Sequence, residues 1–294
     1  MKAALIQHAA RPDRETALAY LRERIAEAAR GGAELILLQE LHNGPYFCQQ
    51  ASVAAFDRAE TVPGPSTEAL GRLARDHAVV IVGSLFETRA VGLHHNTAVV
   101  LDADGRLAGS YRKMHIPDDP GFYEKFYFTP GDANERQGFE PVDTQIGRLG
   151  VLVCWDQWFP EAARLMALAG AQLLLYPTAI GWDPRDDAAE RQRQCEAWQT
   201  IQRAHAIANG LPVLACNRVG HEPDPGEQTA GIRFWGGSFA VGPQGEWLAR
   251  ADEAETLLYA DLDLGRGESV RRIWPFLRDR RIDAYGDLIR RFRD

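Results

Sequence analysis

Gly147-Arg148-Leu149-Gly150-Val151-Leu152-Val153-Cys154-Trp155-Asp156-Gln157-Trp158-Phe159-Pro160-Glu161 is the stretch on which the reading of this chain turns. An apolar run of strand type ends at Cys154. An aromatic and acidic turn follows, and a helical pattern then begins with Glu161, Ala162, Ala163, Leu165, Met166 and Leu168. A cysteine between a buried strand and a helix N-terminus sits where negative charge is favoured and free N–H groups bind an oxyanion. Taken alone it reads first as a packed structural thiol, the commoner fate of a free cysteine.

The segments around it repeat the strand-then-helix theme. Met1 to His8 reads as a first strand. Pro12-Asp13 then opens an amphipathic helix with Leu18, Leu21, Ile25 and Ala28 on one face, and Gly31-Gly32 stops it. Leu35-Ile36-Leu37-Leu38 is apolar without alternation, as a strand buried on both faces should be. A helix is expected near Ser66, with that serine as its cap. Val79 to Leu85 is a further buried strand. Asn96 to Leu101 and Leu107 to Tyr111 form a hairpin through Asp102-Ala103-Asp104-Gly105. From Lys113 to about Asp143 the chain is irregular, yet it is dense in aromatics (Phe122, Tyr123, Phe126, Tyr127, Phe128); a loop so long and so apolar reads as ordered and functional. Gly170-Ala171-Gln172-Leu173-Leu174-Leu175-Tyr176 parallels Gly32-Ala33-Glu34-Leu35-Ile36-Leu37-Leu38, a hint of two similar halves. A long helix covers Ala188 to Asn209, and strands follow near Val213 to Asn217, Gly237 to Val241 and Leu257 to Asp263.

Composition narrows the function. Apolar and charged shares of 45% and 25% are those of an ordinary globular protein able to bury a large core. A net charge of −8 argues against a nucleic-acid partner, which would need a basic face. No run approaches the roughly 20 apolar residues of a membrane span, and the N-terminus reads as a strand rather than a signal peptide. The four cysteines (Cys48, Cys154, Cys195, Cys216) are widely spaced without CxxC, which fits a reducing, cytoplasmic setting. No metal is expected, because His94 and His95 are adjacent, and His115 and His205 have no Cys or His partner at motif distance. Gly236-Gly237-Ser238-Phe239-Ala240 lacks the last glycine of a serine nucleophile elbow.

Glu40, Lys113 and Cys154 each stand at or just past the end of a strand-like run, where α/β proteins assemble sites. Singly they read as a solvated acid, a surface lysine and a core thiol. Together they supply what a thiol nucleophile needs: a carboxylate to take its proton and an ammonium to stabilise an oxyanion.

Leu38-Gln39-Glu40, Tyr111-Arg112-Lys113-Met114-His115-Ile116-Pro117 and Cys154 to Glu161 resemble the three signature segments of the carbon–nitrogen hydrolase (nitrilase) superfamily. Phe122 to Asp132 resembles the segment carrying that family's second glutamate. The resemblance covers essentially the whole chain. It implies an α/β (α+β) fold, a four-layer α-β-β-α sandwich, over residues 1–265. Residues 266–294, rich in arginine and aromatics, would form an arm packed on the same domain or on a neighbouring subunit of a homo-oligomer built from dimers. It also implies Cys154 as nucleophile, Glu40 as general base, Lys113 as oxyanion-stabilising cation, Glu124 as a supporting acid, and the Trp155 N–H as an oxyanion donor, with no cofactor. Lys113 to Phe126, Tyr176 to Gly181 and Phe276 to Arg281 are similar to the branch acting on N-carbamoylputrescine. That implies a small cationic ureido substrate. Its binding residues would include Trp155, Thr178, Asp118, Asp119 and Tyr123, since acidic and aromatic neighbours suit a distal ammonium; the two aspartates are equally ordinary turn residues. Alternatives within the superfamily are a β-ureidopropionase, an N-carbamoyl-amino-acid hydrolase or an ω-amidase. A carboxylate substrate would call for an arginine clamp from Arg185, Arg218 or Arg233. A catalytically dead binding protein is the non-enzyme alternative.

Overall fold

The computed structural model describes residues 1–133 and 138–293. Residues 134–137 of the long irregular segment and the last residue of the arm lie outside the described residues. Two six-stranded sheets carry the fold. In the first, the order is β15 (Thr256–Asp261), β1 (Lys2–Gln7), β2 (Leu35–Leu38), β3 (Val80–Ala90), β4 (Leu93–Leu101) and β5 (Leu107–Arg112). In the second it is β14 (Trp247–Arg250), β13 (Phe239–Val241), β10 (Val213–Asn217), β8 (Leu173–Thr178), β7 (Gly147–Val151) and β6 (Val142–Thr144). A small antiparallel sheet of β11 (Val219–Glu222), β12 (Ile232–Trp235) and β9 (Gly181–Trp182) was not expected from the sequence. Its strands of two to four residues are too short to show a period.

The helices α1 (Arg14–Arg30) and α2 (Pro65–His77) cover the first sheet, and α3 (Pro160–Leu168) and α4 (Ala188–Asn209) cover the second. Side-chain alternation shows how the layers are joined. Leu35 and Leu37 of β2 face the other sheet, in one cluster with Leu149, Leu173, Leu175 and Leu214. Ile36 and Leu38 face outward against Leu21, Ile25 and Ala28 of α1 and Leu70 and Ala74 of α2. Both faces of β2 are therefore dry, which is why its sequence shows no alternation. The result is the four-layer α-β-β-α sandwich that the resemblance implies.

Local chemistry sets the helix ends. The Asp13 side chain accepts from Thr16 N–H at 2.8 Å and caps α1, whose buried stripe is Ala17, Leu21, Ile25 and Ala28. Leu18 is only half-buried. Helix α2 is capped otherwise than the sequence reading had it. Gly64 is the cap and Pro65 fills the first helical position, which needs no N–H. Ser66 lies inside the helix, its own N–H given to Glu60 at 2.7 Å. Helix α4 runs over Ala188–Asn209 as read, ended by left-handed Gly210 (φ +58°).

The two halves correspond. β2 lies between parallel neighbours β1 and β3, and β8 between parallel neighbours β7 and β10; these are the strands whose sequences matched. Their C-terminal ends meet across the sandwich, where Glu40 N–H donates to the Thr178 carbonyl at 3.3 Å. After β15, helix α5 (Leu264–Ile273) packs Val270 inward, and the Arg271 side chain donates to the Asn209 carbonyl at 2.9 Å. Beyond it Trp274, Phe276, Ile282, Leu288, Ile289 and Phe292 are exposed on the single chain. Among the described residues no helix is long and apolar enough to cross a membrane.

Candidate active site

Glu40, Lys113 and Cys154 come together between the sheets, with Glu124 beside them. Glu40 follows β2, Lys113 follows β5 and Cys154 follows β7. Glu124 opens a short 3-10 turn (Glu124–Phe126) in the long segment, whose aromatics Phe122, Tyr127 and Phe128 form a third apolar cluster with Tyr46 and Phe86. Of the five aromatics that suggested an ordered loop, Tyr127 and Phe128 are buried and Phe122 is partly so, while Tyr123 and Phe126 are exposed.

Lys113 has no solvent exposure and gives its ammonium to two carboxylates, Glu40 Oε1 at 2.8 Å and Glu124 Oε2 at 2.6 Å. Burial opposes its charge, but Glu124 and Glu40 overcome that and hold its pKa well above that of a free lysine. Burial pushes Glu124 up to about 7, with Lys113 pulling it down and Glu40 adding to the rise. Tyr46 Oη donates to Glu124 Oε1 at 2.8 Å. Asn96 Nδ2 also donates to Glu40 Oε1, at 2.7 Å, while Oε2 of the same carboxylate is buried and unpartnered among the described residues. One oxygen of Glu40 is thus anchored and the other is available as a base.

Cys154 differs from its sequence reading in one respect. Strand β7 stops at Val151, and Cys154 opens a 3-10 turn (Cys154–Trp158); helix α3 begins only at Pro160. Proline favours extended backbone at the preceding Phe159, so the turn and helix cannot run together. The thiol therefore does not sit on the N-terminus of α3. It sits on a bend with φ +42°, a conformation that a non-glycine residue adopts only when its surroundings hold it there. Burial and the charges of Glu40 and Glu124 push the thiol pKa well above normal, against the pull of Lys113. The thiol proton is thus held more tightly than in a free cysteine and has to leave as the sulfur reacts.

Asp156, which sequence reasoning did not single out, ties the bend to the lysine loop. It accepts from Val153 N–H (2.9 Å), Tyr111 Oη (2.9 Å), and both His115 N–H (3.1 Å) and Nδ1 (2.7 Å). Gln157 is held by Trp198 Nε1 at 2.7 Å and Gln202 Nε2 at 3.2 Å from α4, and its own amide lies 4.0 Å from the sulfur. Only the spacing of Asp156 two residues after the cysteine was visible beforehand; its partners are not.

A cavity of about 390 Å³ opens onto Cys154. Trp155, Trp158, Trp182, Trp235 and Phe122 form its walls, and Glu124 and Cys154 lie at its reactive end. Asp119, Asp183 and Asp186 supply its acidic side chains, and no lysine or arginine lines it among the described residues. Of the expected substrate-binding residues, Trp155 and Asp119 line this cavity. Asp118, Tyr123 and Thr178 do not: Asp118 and Tyr123 lie on the solvent side of the loop, and Thr178 is fully buried, its hydroxyl given to the Tyr176 carbonyl at 3.0 Å. Thr178 ends β8 with its side chain turned to its own strand; its contribution is the backbone carbonyl that Glu40 binds. Trp182, Asp183 and Asp186 were missed, since they lie outside the quoted motifs. None of the three arginines weighed as a carboxylate clamp lines the cavity, although Arg185 is paired with Asp183 of its lining. Arg185 pairs with Asp183, Arg233 with Glu253 at 3.7 Å, and Arg218 with Glu222 at 2.7 Å.

Comparison with known proteins gives the family. The chain is 44% identical to an N-carbamoylputrescine amidase of Solanum lycopersicum, covering 97% of this chain and 94% of that one. It is 40% identical to a citrullinase of Francisella tularensis, covering 99% of each. A carbon–nitrogen hydrolase from Helicobacter pylori has the same fold, with a TM-score of 0.96 and 52% identity over 100% of this chain and 99% of that one. The profile of the carbon–nitrogen hydrolase family matches residues 2–272, and the chain belongs to that family.

Proposed function

We propose that this chain is a thiol amidohydrolase that converts N-carbamoylputrescine to putrescine, carbon dioxide and ammonia, serving polyamine synthesis in the cytoplasm. The observation that carries the substrate choice is the cavity: aromatic walls and acidic side chains lead to Cys154, and no basic side chain lines it among the described residues. A distal ammonium is attracted to such a lining, and a distal carboxylate is repelled by it. Arg185 already holds Asp183, bringing its pKa down to about 2, so Asp119 and Asp186 are the acids left for the ligand; neither is in an ion pair among the described residues.

In the reaction, the Cys154 thiol gives its proton to the free oxygen of Glu40 as sulfur attacks the ureido carbon. Lys113 and the Trp155 N–H stabilise the oxyanion. The C–N bond to the terminal amide breaks, and ammonia leaves with a proton from Glu40 or Lys113. The adduct on sulfur, a thioester-type carbamoyl group still carrying the aminobutyl chain, is then attacked by water that Glu40 deprotonates. The released carbamic acid loses carbon dioxide to give putrescine. Glu124, held by Tyr46, keeps Lys113 in place.

The assay is ammonia release from N-carbamoylputrescine, citrulline and N-carbamoyl-β-alanine, with wild type and Asp186→Asn. Preference for the first substrate, and a KM raised several-fold in the variant with little change in kcat, fit the proposal. Preference for a carboxylate-bearing substrate contradicts it. The apolar surface from Ile273 to Phe292 suits contact with a second copy of the chain, so a homo-oligomer is part of the same reading; sedimentation showing a monomer would remove it.

A further inference from the structure

Arg218 lies just past β10, leads into β11, and is wholly buried. Its Nη1 donates to the Gly44 carbonyl (3.0 Å) and to Glu222 Oε1 (2.7 Å); its Nη2 donates to the carbonyls of Glu40 (3.1 Å) and Leu41 (2.7 Å). Three of these four acceptors belong to one turn, and that turn contains Leu41 at φ +48°. A leucine in this conformation is strained, so the surrounding contacts must hold it. Glu222 extends the contact: its Oε2 accepts from Tyr46 N–H at 2.6 Å, and Tyr46 Oη in turn donates to Glu124.

We propose that the Arg218–Glu222 pair is a positioning device for the hydrolytic site, fixing both carboxylates that flank Lys113. Arg218 sets Glu40 by gripping the carbonyls of its turn, and Glu222 sets Glu124 through Tyr46. Neither residue reaches the cavity. A buried ion pair is weak evidence for a stabilising role, because an apolar pair of equal volume often serves as well. What the guanidinium alone supplies is several donors in one plane, here satisfied by three carbonyls and a carboxylate at once. Lysine has the charge without the fork. Glutamine at position 222 keeps the shape but offers one acceptor where two donors converge.

The test uses Arg218→Lys and Glu222→Gln, with two readings on folded protein. One is kcat and KM for N-carbamoylputrescine, and this reading alone rests on the function proposed above. The other is the rate of Cys154 alkylation by iodoacetamide as a function of pH, which needs no substrate. Displaced carboxylates predict a kcat lowered at least about tenfold, a KM changed less than about threefold, and a moved alkylation profile. Variants that lose thermal stability but keep the wild-type kcat and alkylation profile make the pair merely structural and overturn the proposal. If Arg218→Lys does not fold, Glu222→Gln and Tyr46→Phe decide. If wild type hydrolyses no ureido amine, the substrate reading fails, and the alkylation profiles still decide the role of the pair.

Discussion

Replacing Lys113 by methionine removes the cation that lies between two buried carboxylates and keeps most of the side-chain volume. The oxygens that contact the ammonium, at 2.8 and 2.6 Å, lie no farther apart than about 5.4 Å, the sum of those contacts. Two negative charges at that separation repel by about 3 kcal/mol at an effective dielectric constant near 20. Removing one partner from a buried ion pair costs about 3–5 kcal/mol, which brackets the same figure. The loss depends on pH, with a definite sign. Glu124 already has a folded pKa raised to about 7 by burial, and without Lys113 that pKa rises further. A carboxyl with a raised folded pKa contributes stability that is fully present below its unfolded value near 4.5 and is lost as pH rises through the folded value. The gap in unfolding free energy between wild type and Lys113→Met should therefore widen by about 1 kcal/mol from pH 5 to pH 8, since one proton linked to Glu124 supplies at most about 1.4 kcal/mol per pH unit above its wild-type value of about 7. Urea denaturation at the two pH values measures it. A gap that is the same at both, or narrower at pH 8, would refute the electrostatic account of the site.

Two further outcomes follow from the same geometry. Both oxygens of Glu124 accept hydrogen bonds, from Lys113 and Tyr46, so the ionised form is the one that fits. kcat/KM should rise with pH through about 7, and Glu124→Gln should abolish that limb as well as lower the rate; a limb unchanged in the variant assigns it to another group. Asp156→Asn leaves only one acceptor oxygen for four donors at the base of the bend. It should cost about 3 kcal/mol of stability or more and reduce kcat, read by thermal unfolding and steady-state kinetics; wild-type values in both would remove Asp156 from the account.

Much of this was legible in the sequence where a local rule and the tertiary structure agreed. Leu35–Leu38 and Val80–Val82 are apolar without alternation because sheet and helix cover both their faces. Asp13, Asp102 to Gly105, and Gly210 carry the capping and turn chemistry that their positions use. The reading was less accurate where backbone context decides. Gly64 rather than Ser66 caps α2, and a 3-10 turn keeps Cys154 off the N-terminus of α3, which begins at Pro160 beside the expected Glu161. Helix α5 was not foreseen, since glycine and arginine interrupt its apolar period. The triad and Glu124 stood out because each lies in a quotable motif. The groups that hold them did not: Arg218 binds carbonyls more than 170 positions away, and a carbonyl acceptor leaves no mark in a sequence. Thr178 illustrates the converse, lying in a matching motif while its side chain faces away from the cavity.

The central claim is that Cys154, on its strained bend, forms a covalent bond to the ureido carbon. Acid-quenched single turnovers of the wild-type enzyme with N-carbamoylputrescine, followed by peptide mass spectrometry, test it directly. The account predicts a transient aminobutylcarbamoyl group on the peptide containing Cys154, absent in Cys154→Ala, which should also be inactive. Substrate consumed with no adduct on that peptide, or hydrolysis by Cys154→Ala at the wild-type rate, would contradict it.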